Sequence, residues 1–111
     1  MKLFFDSDII LDVLLRRSPH SASSSQVLGL ASQGHSGFVA PHSIAIIHYV
    51  CHKQFRNDGD CSSEQKVRNV ISKLLVNLTI ATLNEKIVKK GLVSSFKDFE
   101  DSLVYYCAES V

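Results

Sequence analysis

The stretch KLFFDSDIILDVLL, residues Lys2 to Leu15, decides how the rest of the chain is read. Lys2 to Phe5 is a short apolar run suited to a buried strand, and Asp6 ends it. Ser7 and Asp8 are good N-cap types, and Ile9 to Leu15 has the apolar spacing of a helix. A strand that passes straight into a helix is the opening of an α/β fold. Asp6, Asp8 and Asp12 interrupt this apolar stretch. Asp8 and Asp12 are four apart, so they share a helix face if Asp8 caps the helix.

Outward from this opening, strands and helices alternate. Pro19 marks a break, and a second helix is expected from about Ser21 to Gln33 with Val27, Leu28, Leu30 and Ala31 as its apolar face. Gly34 and Gly37 bracket a turn, and GFVAP reads as a second short strand stopped by Pro41. Ser43 caps a third helix through Ile44, Ile47, Val50 and Cys51 to about Phe55. RNDGD, from Arg56 to Asp60, is the strongest turn signal. Ser62 or Ser63 caps the next helix, with Val67, Val70, Ile71, Leu74 and Leu75 on one stripe. VNLTIATL is rich in β-branched residues and reads as a third strand. Asn84 caps a short helix ending near Gly91, and a last helix runs from about Asp98 to Ala108. The pattern predicts a parallel sheet with helices on its faces. In such folds the ligand site lies beyond the carboxyl ends of the strands, where Asp6 falls.

The bulk properties set limits. A chain of 111 residues is the size of one domain, and 45% hydrophobic residues suffice for a core. A net charge of +1 does not announce a nucleic-acid binder, although a local basic patch is compatible with it. Cys51, Cys61 and Cys107 are odd in number and irregularly spaced, so no disulfide framework is expected. With no signal-peptide pattern and no membrane-spanning run, the expected location is the cytoplasm.

Six of the eleven acids fall into two clusters, Asp6–Asp8–Asp12 and Asp98–Glu100–Asp101. Helix capping and the helix dipole are the competing explanation for Asp8 and Asp98. Asp12 lies a turn into an apolar helix, which is not a capping position. If the clusters meet, their like charges call for a cation, and hard oxygen ligands suit Mg²⁺ or Mn²⁺. Carboxylates holding such ions at the mouth of an α/β sheet are equipped for metal-assisted phosphodiester hydrolysis. The spacing permits the meeting and does not by itself establish it.

FFDSDIILDVLLRR resembles the opening of a PIN domain: strand, Asp, small residue, Asn or Asp, aliphatics, Asp, aliphatics. FKDFEDSLVYYCAES resembles the acidic signature before that family's late helix, and FVAPHSIAIIHYVCHK resembles its second strand and following helix. The resemblance runs from about Lys2 to Ser110, as a single domain over residues 1–111. It implies a three-layer α/β/α sandwich with a short parallel sheet. It also implies Mg²⁺- or Mn²⁺-dependent endoribonuclease activity on RNA, often as the toxin of a VapC-type pair with an antitoxin protein. Carried over by position, Asp6 and Asp101 are the catalytic and metal-binding acids. Asp98, Asp8 and Asp12 assist or orient them at the metal.

The sequence departs from the family pattern in two places. The helix after the second strand, SIAIIHYVCHK, has no acid, and His48 or Tyr49 falls near the place of a frequent glutamate. The pattern also continues after the late helix with a further strand and a T-R-N or T-x-D segment, where this sequence ends at Val111. A short variant or a truncated chain would leave a sheet edge exposed, to be covered by a partner or by a second copy in a homodimer. Both departures favour a competing reading, a non-catalytic PIN-like RNA- or protein-binding module. A plain α/β domain whose acids only cap helices ranks last, because it leaves Asp12 unexplained.

Other residues carry weaker signals. His48 and His52 are four apart and are expected to pack rather than bind zinc. Cys107 reads as a small buried hydrophobe in the last helix. Arg16, Arg17, Lys53 and Arg56 suit a solvated face more than an RNA backbone. Tyr105 and Tyr106 are expected to complete a core rather than stack on a base.

Overall fold

The computed structural model describes residues 1–59 and 61–111. Its elements run in the order β1 (Lys2–Phe5), α1 (Ser7–Leu14), α2 (Ser21–Gly29), β2 (Ser36–Val39), α3 (Pro41–Asn57), α4 (Ser63–Leu74), β3 (Leu78–Ile80), α5 (Glu85–Leu92) and α6 (Phe99–Glu109). The strands form one parallel sheet in the order β1-β2-β3. Phe5 pairs with Val39, and Val39 with Ile80, so the three carboxyl ends are level. Asp6, Ala40 and Ala81 therefore leave the sheet on the same side.

Alternating residues feed two cores, as the period of two in a strand requires. Phe5, Val39 and Leu78 join Ile10, Leu11, Ile47, Cys51, Val67 and Ile71 in the larger core, under α1 to α4. Ala40, Ala81, Ile87, Leu103 and Cys107 form the smaller core, under α5 and α6, with Phe4 packed against it. Helices thus cover both faces, which is the expected three-layer α/β/α arrangement. Burying a side chain such as Ile10 or Ile47 completely contributes roughly 1.5–3 kcal/mol.

Several local expectations are corrected. Asp6, not Ser7 or Asp8, is the N-cap of α1. The strand ends one residue earlier than the helix needs its cap, and Asp6 serves both ends. Pro41 does not stop the second strand from outside; it opens α3, where a missing N–H costs nothing, and Ser43 lies within the helix. The second helix ends at Gly29 and continues as a 3₁₀ turn over Leu30–Ser32. VNLTIATL supplies only Leu78–Ile80 to the sheet, because β3 pairs with β2 alone.

Gly34, at φ 90°, and Gly59, at φ 84°, make the turns that favour glycine. The turn read at RNDGD is present through Gly59, and Asp60 lies outside the described residues. Gly37 does not bracket a turn. It sits inside β2, where an added Cβ would come 2.6 Å from Leu78 Cδ2 and 2.9 Å from Ala31 Cβ. The close approach to β2 of Leu78 and of the 3₁₀ turn that carries Ala31 depends on this missing side chain.

Among the described residues no helix is long and apolar enough to cross a membrane.

Candidate functional site

Each acidic cluster contributes a helix cap: Asp6 to α1, beyond the carboxyl end of β1, and Asp98 to α6. Asp6 leaves β1 and its Oδ1 accepts a hydrogen bond from the Asp8 backbone N–H at 3.0 Å and from Ser7 Oγ at 3.3 Å. Asp98 is the N-cap of α6, and its Oδ1 accepts from the N–H groups of Glu100 at 2.9 Å and Asp101 at 3.4 Å. Each cap satisfies donors that a helix start leaves open, a role worth about 1 kcal/mol. Each uses one carboxylate oxygen. Among the described residues, Oδ2 of Asp6 and Oδ2 of Asp98 accept no hydrogen bond, so both acids keep an oxygen for another task.

Glu100 feels the charges of both clusters. Its carboxyl is pushed above the usual range, first by burial, then by the charge of Asp98, with further upward pushes from Asp101 and Asp6. His42 acts in the opposite sense. Asp6 and Glu100 lie at opposite ends of the sequence, yet their charges are coupled in the fold. His42 is the second residue of α3 and enters beside the strand ends. Both of its ring nitrogens are buried without a hydrogen-bond partner among the described residues. Neither Glu100 nor His42 stood out in the sequence as a site residue. The signal for Glu100 was its place between Asp98 and Asp101; nothing local marks His42.

The other two acids of the opening stretch are placed differently. Asp12 is turned toward α2 and is mostly buried. Its Oδ1 accepts from Arg17 Nε at 2.9 Å and its Oδ2 from Ser24 Oγ at 3.2 Å. That tie explains structurally an acid that capping could not. Asp8 is exposed; Arg17 Nη2 lies 3.8 Å from its carboxylate and donates to its backbone oxygen at 3.1 Å. Arg17 is thus committed to α1 rather than free for an RNA backbone.

His48 and His52 do not substitute for the absent helix acid. They stack at 5.8 Å and face α4, where Glu64 Oε2 lies 3.0 Å from His48 Nε2 and 3.7 Å from His52 Nε2. Cys107 is the expected buried hydrophobe: its thiol donates to the Thr82 carbonyl at 3.4 Å, and burial pushes its pKa up. Tyr106 packs against the smaller core, but Tyr105 does not complete it and is 51% exposed.

The donor set fits a hard divalent cation in kind and in charge. Asp6, Asp98, Glu100 and Asp101 are all oxygen donors, and four carboxylates carry the negative charge that such a cation would offset. Their present positions are splayed. Among the described residues, no group of three or more His, Cys, Asp or Glu side chains stands close enough together to hold a metal ion. Binding one would require the free carboxylate oxygens to turn inward around caps that stay in place.

In a comparison with family models, that of the PIN domain matches residues 2–111. No curated protein and no solved structure matches the chain.

Proposed function

The chain belongs to the PIN domain family, and we propose that it is a divalent-metal-dependent ribonuclease of that family. Membership supports nuclease-type chemistry in general. The observation that supports the finer reading is the placement of Asp6 at the end of β1 and of Asp98 at the start of α6, each capping a helix with one carboxylate oxygen and keeping the other free of hydrogen bonds among the described residues. Asp6 and Asp98 would hold Mg²⁺ or Mn²⁺ through the oxygens their caps leave open, with Asp101 and Glu100 completing the oxygen set. The bound cation supplies charge stabilisation at the scissile phosphate and a water acidic enough to attack it.

The chain's own residues do the rest by position. The caps of α1 and α6 fix Cα and Cβ of the two principal acids on rigid elements, so that only the terminal torsions move. Arg17 and Ser24 hold Asp12 and with it the first turns of α1. Asp12 is spent on that tie, and Asp6 is held at the end of β1 by its own capping of α1. Asp8, on the exposed side, adds negative charge near the mouth of the site. A toxin role with an antitoxin partner belongs to the same proposal.

A second reading is favoured by one observation: no three of these side chains stand close enough together to hold an ion. Under it the domain keeps the fold and binds RNA or protein without cleaving. One experiment separates the two. Labelled single-stranded RNA is incubated with the full chain in Mn²⁺, in Mg²⁺ and in EDTA, beside Asp6→Asn and Asp98→Asn. Metal-dependent cleavage lost in both variants supports the ribonuclease. RNA left intact at stoichiometric protein with either metal rules it out in favour of the binding module.

A further inference from the structure

The smaller core is covered by α5 and α6, which lie antiparallel: Gly91 near the end of α5 meets Ser102 and Leu103 of α6, while Tyr106 borders a recess with Lys86 and Lys90. The outer face of α5 is basic, and exposed rings lie beside it in the loop before α6 and on α6, which itself carries Glu100, Asp101 and Glu109 and no basic residue. The eight residues of α5 carry three lysines against one glutamate. Lys89 is tied to Glu85 at 3.0 Å, so among the described residues Lys86 and Lys90 are the lysines of α5 without an ion pair. They line a shallow groove of ≈ 520 Å³ together with the Glu85–Lys89 pair and Val93, and Lys90 Nζ stands 5.7 Å from the centre of the Tyr106 ring. One acid, Glu109, shares the neighbouring recess.

The aromatic half is contiguous with the basic half. Phe96 lies 5.3 Å from Tyr105 and 6.2 Å from Tyr106, and Tyr105 lies 5.2 Å from Tyr106. Tyr105 is 51% exposed and Phe96 42%. Exposed rings in mutual contact beside unpaired lysines are poorly explained by solubility, which needs only the charges. They match what a single nucleic-acid strand requires: π-faces for bases and cations for phosphates. A duplex hides its base faces and leaves the rings without a role.

The geometry also joins this face to the acids. Asp101 and Tyr105 are four apart on α6, on one exposed stripe, about 6 Å along the helix. A strand held at Asp98 and Asp101 and continuing down α6 runs onto Tyr105 and Phe96, then onto Lys90 and Lys86.

We propose that the outer face of α5 and α6 is a binding track for single-stranded nucleic acid, in which Tyr105 and Phe96 stack a base and Lys86 and Lys90 hold the backbone. As the route of a substrate to the acids, the track rests on the ribonuclease reading; as a binding surface it does not.

The test is fluorescence anisotropy of a short labelled oligouridylate with the full chain in EDTA, so that no cleavage intervenes. The wild type binds, and its affinity falls steeply with salt. Lys86→Gln with Lys90→Gln weakens binding roughly tenfold or more and flattens the salt dependence. Tyr105→Ala weakens it roughly tenfold, while Tyr105→Phe, which keeps the ring, binds as the wild type does. A control pair on α3, Lys53→Gln with Arg56→Gln, has no such effect. Asp6→Asn binds normally even where it cleaves nothing, which keeps this result apart from the fate of the nuclease reading. Circular dichroism checks that each variant is folded. Undiminished binding by the lysine and Tyr105→Ala variants overturns the proposal. So does equal competition by duplex RNA. Displacement of the oligonucleotide by an acidic peptide whose own binding ignores Tyr105→Ala would assign the face to a protein instead.

Discussion

Arg17 Nε donates to Asp12 Oδ1 at 2.9 Å, across the turn that closes α1. Ser24 Oγ donates to the other oxygen from α2, so one mostly buried carboxylate ties two helices and a loop. Asp12→Ala would leave a guanidinium and a hydroxyl without their acceptor. The expected cost is about 1–3 kcal/mol, read from the midpoint of urea unfolding. Mn²⁺ affinity should be unchanged in the folded variant. A variant as stable as the wild type but unable to bind Mn²⁺ would return Asp12 to the metal.

Asp6 and Asp98 each perform two tasks, and the two can be separated. Asparagine caps a helix about as well as aspartate, so Asp6→Asn and Asp98→Asn should unfold within about 0.5 kcal/mol of the wild type. Both should lose Mn²⁺ affinity roughly tenfold or more by calorimetry, which is about 1.4 kcal/mol or above. Asp6→Ala removes the cap as well and should lose about 1 kcal/mol of stability. Equal Mn²⁺ binding by wild type and Asp6→Asn would leave the cap as the only role of that acid.

Glu100 gives a pH test of the acidic site. Its carboxyl is raised in the folded chain, first by burial and then by Asp98, Asp101 and Asp6. A raised acid binds its proton more tightly when folded, so it subtracts stability as pH climbs past the ordinary glutamate value, about 4.3. Glu100→Gln should therefore melt higher than the wild type at neutral pH, with the gain vanishing below that value. Adding Mn²⁺ should narrow the gap by raising the wild type more than the variant. A gap independent of pH would mean that shape, not charge, is responsible.

Much of this was legible locally. The caps at Asn84 and Asp98 and the alternation of strand and helix depend on neighbours in sequence, and the fold keeps them. What was not legible depends on partners far along the chain. Ser7, Asp8 and Asp6 are all good caps, and only the level ends of β1 and β2 select Asp6. Asp12 looked like a site residue because Ser24 cannot be paired with it from spacing alone. Tyr105 sits in an apolar run that suggested a core, but α6 has one face only against the sheet. Glu100 stood between Asp98, for which capping was an alternative, and Asp101, which the family pattern matched, and the effect of Asp6 on it exists only in the folded chain.

Gly37 was read as a turn residue for the same reason, since glycine is the common turn former. The fold uses it for proximity instead. An alanine there would place Cβ 2.6 Å from Leu78, 2.9 Å from Ala31 and 3.1 Å from Phe5. Two of these neighbours are buried core, so they yield at a cost. Gly37→Ala should lose about 1–3 kcal/mol by chemical denaturation. Wild-type stability would mean that Leu78 and the 3₁₀ turn carrying Ala31 move away from β2 freely.

Glu64 offers the opposite pH sign from Glu100. Its Oε1 accepts from Arg68 Nε at 2.9 Å, and its Oε2 faces His48 Nε2 at 3.0 Å. Its pKa is lowered, first by the hydrogen bond from Arg68, which burial partly offsets, and then by the charges of His48 and Arg68. A lowered acid contributes stability that is present above its unfolded value, about 4.3, and is lost as pH falls through the folded one. Glu64→Gln should therefore melt slightly below the wild type at neutral pH, and the two curves should converge under acid conditions. Because the carboxylate is exposed, added salt should also close the difference. Thermal unfolding followed by circular dichroism at neutral and acid pH, with and without salt, reads both effects. A difference that survives acid and salt would mean that Glu64 holds α3 to α4 by packing of its stem rather than by charge.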